Sequence, residues 1–390
     1  CIRDRMSIRY FMNLRSDIFR NVSNTTGYRT RRKFILLESD DWGSIRMPSL
    51  EVLQRFQSEG YDLSRSDYNR LDALESNDDL SELFEVLLSF RDSRGNHPAF
   101  TANVVVGNPD FRRIRESDFS EYYYEPVTET IKRYPDRDLV KSLWQKGMEE
   151  GVFMPQFHGR EHVNVVRWME ALRKRTPEIM YTFDNETTFS GDGDYNYMEV
   201  LDYNSQDDLH LMKESLTEGL DIFENLFGFR SVSFIPPCYT WDSRIEKVLH
   251  QGGVRYIQGL FIQQLPTGRF GHYKKKYHFH GSRNQYGQYY LVRNCFFEPS
   301  LSGDADEVDN CLARIAIAFR WHKPAIICSH RINYIGAIDS GNRSRNLKKL
   351  KQLLEAIIRE WPEVEFLTTD KLGALIENGD NSGFNRTSHS

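Results

Sequence analysis

The chain has 390 residues, 39% hydrophobic and 27% charged, enough for one large barrel-like domain or two ordinary ones. Its 51 basic and 56 acidic residues leave a net charge of -5, so no global positive field gathers phosphate backbones and nucleic acid is not an expected partner. Five scattered cysteines, Cys1, Cys238, Cys295, Cys311 and Cys328, are too few for a disulfide framework or a Cys-type zinc cluster, and no window reaches the roughly 18 to 20 apolar residues of a transmembrane segment.

The chain opens on Cys1 rather than Met, so an export signal could lie upstream, and the compartment stays open between cytoplasm and export. Residues 1–32 end in the basic run TTGYRTRR and read as a solvated lead-in. From Lys33 the pattern changes. Phe34-Ile35-Leu36-Leu37 is a short apolar run of the kind expected for a strand buried on both faces of a parallel sheet. Similar runs recur at Phe100 to Val106, Val152 to Phe157, Ser231 to Ile235, Val254 to Gln258, Tyr290 to Phe296, Ala325 to Cys328 and Val364 to Leu367. Between them lie amphipathic helical patterns at Asp138 to Glu150, Val163 to Arg173, Asp207 to Phe227, Asp306 to Arg320 and Asn346 to Trp361. Alternation of this kind predicts an α/β fold: a distorted (β/α) barrel of seven or eight mostly parallel strands with outer helices, over residues 33–378. An open doubly wound sheet is the competing architecture. Thr267 to Gln288 and Asp110 to Asp136 break the rhythm as excursions near the barrel mouth, and the polar tail 379–390 reads as disordered.

Three constellations carry chemistry, each at a strand C-terminal end. Glu38-Ser39-Asp40-Asp41-Trp42-Gly43 follows the first strand; adjacent carboxylates are costly unless a cation joins them, with one Asp a ligand and the other a base. The bland alternative is a surface turn. His158-Gly159-Arg160-Glu161-His162 follows the third strand, and two imidazoles four residues apart can bind a borderline metal. His330, after the strand Ala325 to Cys328, can serve as general acid.

In their order, SDDWG, HGREH, a divergent IPPCY and ICSH resemble the motifs of the polysaccharide deacetylase family (carbohydrate esterase family 4), over roughly Phe34 to Ile376. The resemblance implies a carbohydrate deacetylase acting on an acetylated polysaccharide or oligosaccharide with one divalent metal, of which Zn²⁺ is the first choice. By the same resemblance Asp40 is the catalytic base, Asp41, His158 and His162 hold the metal, and His330 protonates the leaving group. Cys238, Tyr239, Trp241, Arg331 and Trp42 complete the expected oxyanion and substrate-binding set, with Cys238 offering a backbone N–H that Pro237 cannot. Trp241-Asp242 could also simply cap the next helix.

Two departures stand out. The family arginine that pairs with the base carboxylate falls on Phe234 or Ile235, leaving Arg331 and Arg46 as substitutes. Gly159 replaces the family Ser or Thr. These losses motivate a rival reading, a non-catalytic sugar-binding barrel. A second rival takes HGREH as H-x-x-E-H of a zinc peptidase with Glu161 as base, but that pattern requires a helix where a strand and Gly159 stand. Sequence leaves the sugar, the linkage, N- against O-acetyl and the oligomeric state open.

Overall fold

The computed structural model describes residues 18–64, 66–191, 197–302 and 306–379; the expected disordered tail falls almost wholly outside them. Nine strands form one sheet in the order β10-β7-β6-β5-β2-β1-β12-β11, with β13 paired to the start of β1. They are β1 (Phe34–Trp42), β2 (Phe100–Val105), β5 (Phe153–Gly159), β6 (Ser233–Phe234), β7 (Tyr256–Gly259), β10 (Tyr289–Val292), β11 (Cys295–Phe296), β12 (Ala325–His330) and β13 (Glu365–Phe366). Every pairing among them is parallel, as alternation with helices requires. Two small antiparallel ribbons stand outside the sheet: β3 (Gly107–Pro109) with β4 (Tyr124–Pro126), and β8 (Ile262–Pro266) with β9 (Tyr273–Tyr277).

The apolar run Tyr290 to Phe296 is two strands, not one. β10 pairs with β7 at one end of the sheet and β11 with β12 at the other, so the two-residue link Arg293–Asn294 spans the seam. Arg293 donates its backbone N–H to Gly259 O and Asn294 to Ile326 O, tying both edges together. The result is a distorted barrel.

Alternation along each strand sorts the core into layers. Phe34, Leu36, Tyr256, Tyr289, Leu291 and Ile326 cluster with Leu372 and Ile376 of the helix Thr369–Glu377, which closes the barrel floor. Ile35 and Leu37 face the other way, into the layer formed with the helices Asn77–Leu88, Val140–Glu149 and Ser340–Glu360. Two residues further along each strand the inward positions turn polar: Glu38, Asp40, Asn103, Gln156, His158, Gln258, Arg293 and Cys328 are all buried. Polar groups at this depth are tolerable only when paired, and a belt of side-chain hydrogen bonds joins Asn103, Gln258, Ser233 and Gln156.

The lead-in is less solvated than its composition predicts. Thr30 is buried, Arg32 pairs with Glu365, and the Lys323 ammonium donates to the carbonyls of Thr26 and Tyr28. Residues 24–32 therefore pack against the barrel rather than trail from it.

Candidate metal centre

Strand alternation would send Asp40 and Asp41 to opposite faces. Instead the β1–β2 register shifts between Ser39 and Trp42, and Asp41 takes φ +75°. This bulge in the left-handed region turns both carboxylates inward and Trp42 outward. The turn is braced from below: Glu75 accepts from Gly43 N–H at 3.0 and 3.1 Å, and Asn108 accepts from Ile45 N–H and donates to Gly43 O. A second shift in the β2–β5 pairing beside His158, with Gly159 at φ +128°, shapes the HGREH strand end.

These two bulges bring Asp41, His158 and His162 together, their donor atoms within 4.8 Å of one another. Asp41 Oδ1 lies 3.3 Å from His158 Nε2 and 3.2 Å from His162 Nε2. Donors sharing one ion at about 2.1 Å and a near-tetrahedral angle stand roughly 3.4 Å apart, so the spacing fits a shared cation. His158 Nδ1 sits 2.8 Å from Ile235 O, an acceptor only. Nδ1 therefore carries a proton, and in neutral His158 the Nε2 lone pair faces the Asp41 oxygen. Two buried acceptors in contact repel unless a proton or a cation lies between them. Asp41 Oδ2, also buried, has no hydrogen-bond partner. Burial alone would raise Asp41, but His162 with its hydrogen bond and the Arg46 charge hold it well below the usual carboxylate range. Burial pushes His162 down to about 4 against the pull of Asp41, so the ring is neutral at pH 7, the form that ligates. One carboxylate and two imidazoles fit a borderline divalent ion.

Beside this triad stand a carboxylate and an imidazole polarised in opposite senses. Asp40 receives Arg293 Nη1 and Nη2 on its two oxygens at 2.7 Å each, and Asn103 Nδ2 at 2.8 Å. Burial opposes ionisation of Asp40, but the Arg293 charge and hydrogen bonds, then His330 and His158, bring its pKa down to about 2. His330 Nδ1 donates to Glu298 Oε1 at 2.6 Å while its Nε2 stands 3.7 Å from Asp40 Oδ2. Burial would lower His330; Glu298, with Asp40 and Asp41, overcomes it and lifts the ring to about 10. At neutral pH Asp40 is a carboxylate and His330 an imidazolium, one able to take a proton and one to give it. Tyr68 packs edge-on against His330, ring centroids 5.7 Å apart.

Several expectations require correction. The cation on Asp40 is Arg293, which also grips Glu38 at 2.6 Å. Arg331, fully buried, is clamped by Asp72, Glu75 and the Ser44 carbonyl, so it braces the turn rather than meeting substrate or base. Arg46 meets Asp41 and Asp72 instead of Asp40. Trp42 lies in the outer layer against Phe153, its indole N–H on Ser39 Oγ, where no substrate reaches. Trp241 is buried too, stacked on His278 with its indole N–H on Glu246, while Asp242 caps the following helix Ser243–Gln251. Tyr239 lies partly buried, its hydroxyl 3.2 Å from Arg293 Nη1 and 3.4 Å from Cys328 Sγ. Cys238 is exposed on the turn after β6 at φ +53°. Glu161 is held by Arg160 and Ser215, and HGREH runs from strand into loop with no helix, which removes the peptidase context.

Sequence reasoning missed Arg293 and Glu298. An arginine inside the apolar run Tyr290 to Phe296 was the available signal for the first, since an unpaired buried guanidinium is not tolerated; a carboxylate just past the same run was the signal for the second. Among the described residues one further metal-capable group occurs, Glu298, Cys328 and His330, but Arg293 Nη1 already stands 3.3 Å from Cys328 Sγ and repels a second cation. A cavity of about 680 Å³ lies between the HGREH loop and the helices Val165–Lys174 and Gln206–Phe227; of the triad only His158 borders it.

No family model and no curated protein matches the chain. Among solved structures it is similar to a putative polysaccharide deacetylase from Mycobacterium smegmatis, at 12% identity and a TM-score of 0.45 over 91% of this chain and 94% of that one. It is similar to a CE4 family pseudoenzyme from Bacillus anthracis at 10% identity and a TM-score of 0.37, over 88% of this chain and 67% of that one. The same holds for a 4-alpha-glucanotransferase from Thermococcus litoralis at 10% identity and a TM-score of 0.42, of whose length the chain spans 40%. A shared outline carries no function with it. No helix among the described residues is long and apolar enough to cross a membrane.

Proposed function

We propose that this protein is a metal-dependent hydrolase that removes acetyl groups from an acetylated polysaccharide or oligosaccharide. The observation that carries the reading is a carboxylate held ionised and an imidazole held protonated, 3.7 Å apart, beside a three-donor cation site. Asp41, His158 and His162 would hold the ion, and their mixed oxygen and nitrogen set suits Zn²⁺. A bound divalent ion would polarise an acyl carbonyl and lower the pKa of water.

The chain's own groups do the rest. Asp40, fixed by Arg293 and Asn103 so that it cannot rotate away, takes the proton from the attacking water. His330, steadied by Glu298, delivers a proton to the departing sugar nitrogen or oxygen. Cys238, on the turn after β6, would offer its backbone N–H to the developing oxyanion. The acetyl and carbohydrate parts of the reading rest on the ordered motifs SDDWG, HGREH, IPPCY and ICSH. The ground for a non-catalytic barrel was a base without its arginine, and Arg293 supplies one. Acetate release from a panel of acetylated glycans by the Zn²⁺-loaded chain tests the proposal. Activity should fall by at least about two orders of magnitude in Asp40→Asn; a folded, loaded wild type that frees no acetate from any member of the panel would overturn it.

A further inference from the structure

In a metal site each ligating imidazole ordinarily donates its second ring N–H to a carboxylate, a carbonyl or water, which fixes the tautomer and leaves the other nitrogen free for the ion. His158 has that partner in Ile235 O. His162 has the reverse. The atom 3.2 Å from its Nδ1 is Arg46 Nη2, and a guanidinium can only donate. With Nδ1 accepting, the proton of a neutral ring sits on Nε2, the nitrogen 3.2 Å from Asp41 Oδ1. As it stands, His162 offers Asp41 a hydrogen bond from the very atom a metal would use.

Arg46 is also the most loosely held of three buried guanidiniums here. Arg293 grips Glu38 and Asp40 at 2.6 to 2.7 Å. Arg331 makes bonds of 2.7 to 3.2 Å to Ser44 O, Asp72 and Glu75. Arg46 meets Asp41 only at 3.8 Å and Asp72 at 3.4 Å, and its Nε has no hydrogen bond. Its charge lies against the carboxylate that a divalent ion must share, where like charges oppose each other strongly because water is excluded.

We propose that Arg46 is a resident counter-cation of this centre: it satisfies Asp41 and His162 when no metal is bound and competes with a divalent ion for both. Loading is thereby weakened and made reversible. Metal on His162 Nε2 obliges the ring proton onto Nδ1, where the guanidinium cannot remain, so Arg46 yields to the ion and keeps Asp72. This rests on the metal reading of Asp41, His158 and His162, and the two can fail separately.

The test is Zn²⁺ titration of the chelator-stripped full chain by calorimetry, in wild type, Arg46→Gln, Arg46→Lys and His158→Ala, with circular dichroism for folding. Arg46→Gln should bind at least about tenfold more tightly than wild type, a modest share of what removing an adjacent buried charge allows. Arg46→Lys, which keeps the charge, should stay near wild type, and His158→Ala should lose binding. If wild type binds and Arg46→Gln binds no tighter, the Arg46 inference is overturned alone; if both stay folded and neither binds, the metal reading falls with it. Should Arg46→Gln not fold, long-range ¹H–¹⁵N spectra of histidine-labelled wild type decide. The metal-free His162 ring must show the Nε2–H tautomer and move to Nδ1–H as Zn²⁺ is added; an Nδ1–H ring before metal overturns the proposal.

Discussion

Replacing Arg293 by Met tests the seam on which the catalytic reading depends. The substitution keeps an unbranched stem in the barrel and removes the guanidinium that lies between Glu38 and Asp40. Both carboxylates then remain buried without their cation, and breaking a buried pair in this way costs about 3–5 kcal/mol. At about 2.1 cal/mol/K per residue the unfolding entropy of a chain this size is roughly 0.8 kcal/mol/K, so the midpoint of thermal unfolding at pH 7 should fall by roughly 4–6 °C. The sign with pH follows from Asp40. Its carboxyl is held at about 2 against an ordinary 3.8, so the stability it contributes is present above 3.8 and fades as pH falls through about 2. Without Arg293, burial dominates and Asp40 takes up a proton at higher pH, so the penalty in the variant should shrink on acidification. Calorimetric scans of wild type, Arg293→Met, Asp40→Asn and the double variant complete a cycle. The double variant should recover part of the loss. If Arg293→Met melts within about 1 °C of wild type, or the two changes simply add, the Arg293–Asp40 pair is not what holds the base.

Glu298→Gln removes the charge that outweighs burial at His330, so the ring should titrate well below its present value of about 10. Because a raised histidine pKa contributes its full stability below the ordinary 6.5 and loses that contribution as pH rises through about 10, the variant's loss of stability should be greatest at and just below pH 6.5 and should shrink as pH rises towards about 10. Its acetate-release profile should fall off on the alkaline side earlier than the wild type's, and an unmoved limb would remove His330 as the acid. At the barrel floor, a Cβ on Gly373 would lie 2.6 Å from the Tyr256 ring; Gly373→Ala should therefore cost on the order of 1–3 kcal/mol in urea unfolding while leaving Zn²⁺ affinity unchanged.

The strands and most helices were legible because each buried strand is an uninterrupted apolar run and each helix carries one apolar stripe. The helix Ser340–Glu360 starts six residues before the apolar stripe at Asn346, since its first turn SGNRSR, capped by Asp339, carries no large apolar residue. Asp41, His158 and His162 were legible as well: their residue types are costly at a strand end without a shared ion. What could not be read was set by closure. Arg293 reaches Asp40 only because β10 and β11 lie at opposite ends of the sheet and the link between them crosses the seam. Trp42 failed as a substrate contact because the bulge at Asp41 resets the alternation and sends the indole outward, a backbone event with no signature in residue type.

Charge balance at the mouth gives an independent argument for the ion. Glu38, Asp40, Asp41, Asp72 and Glu75 are buried there with three guanidiniums, Arg46, Arg293 and Arg331. The nearby Glu298 carboxylate and His330 imidazolium offset each other. Five carboxylates against three cations cannot all remain ionised in a medium that solvates charge poorly. Burial, opposed by Arg293 or Arg331, leaves Glu38, Asp72 and Glu75 with pKa values above the ordinary carboxylate range. Protons are one way to make up the missing two positive charges. A divalent ion on Asp41 is the other, and it should do so at a pH where protons are scarce. Metal loading should therefore release the upward pressure on these three carboxyls, and the net proton release on binding Zn²⁺, measured by calorimetry in buffers of different ionisation enthalpy, should exceed zero at mildly acidic pH and vanish as the solution approaches alkalinity.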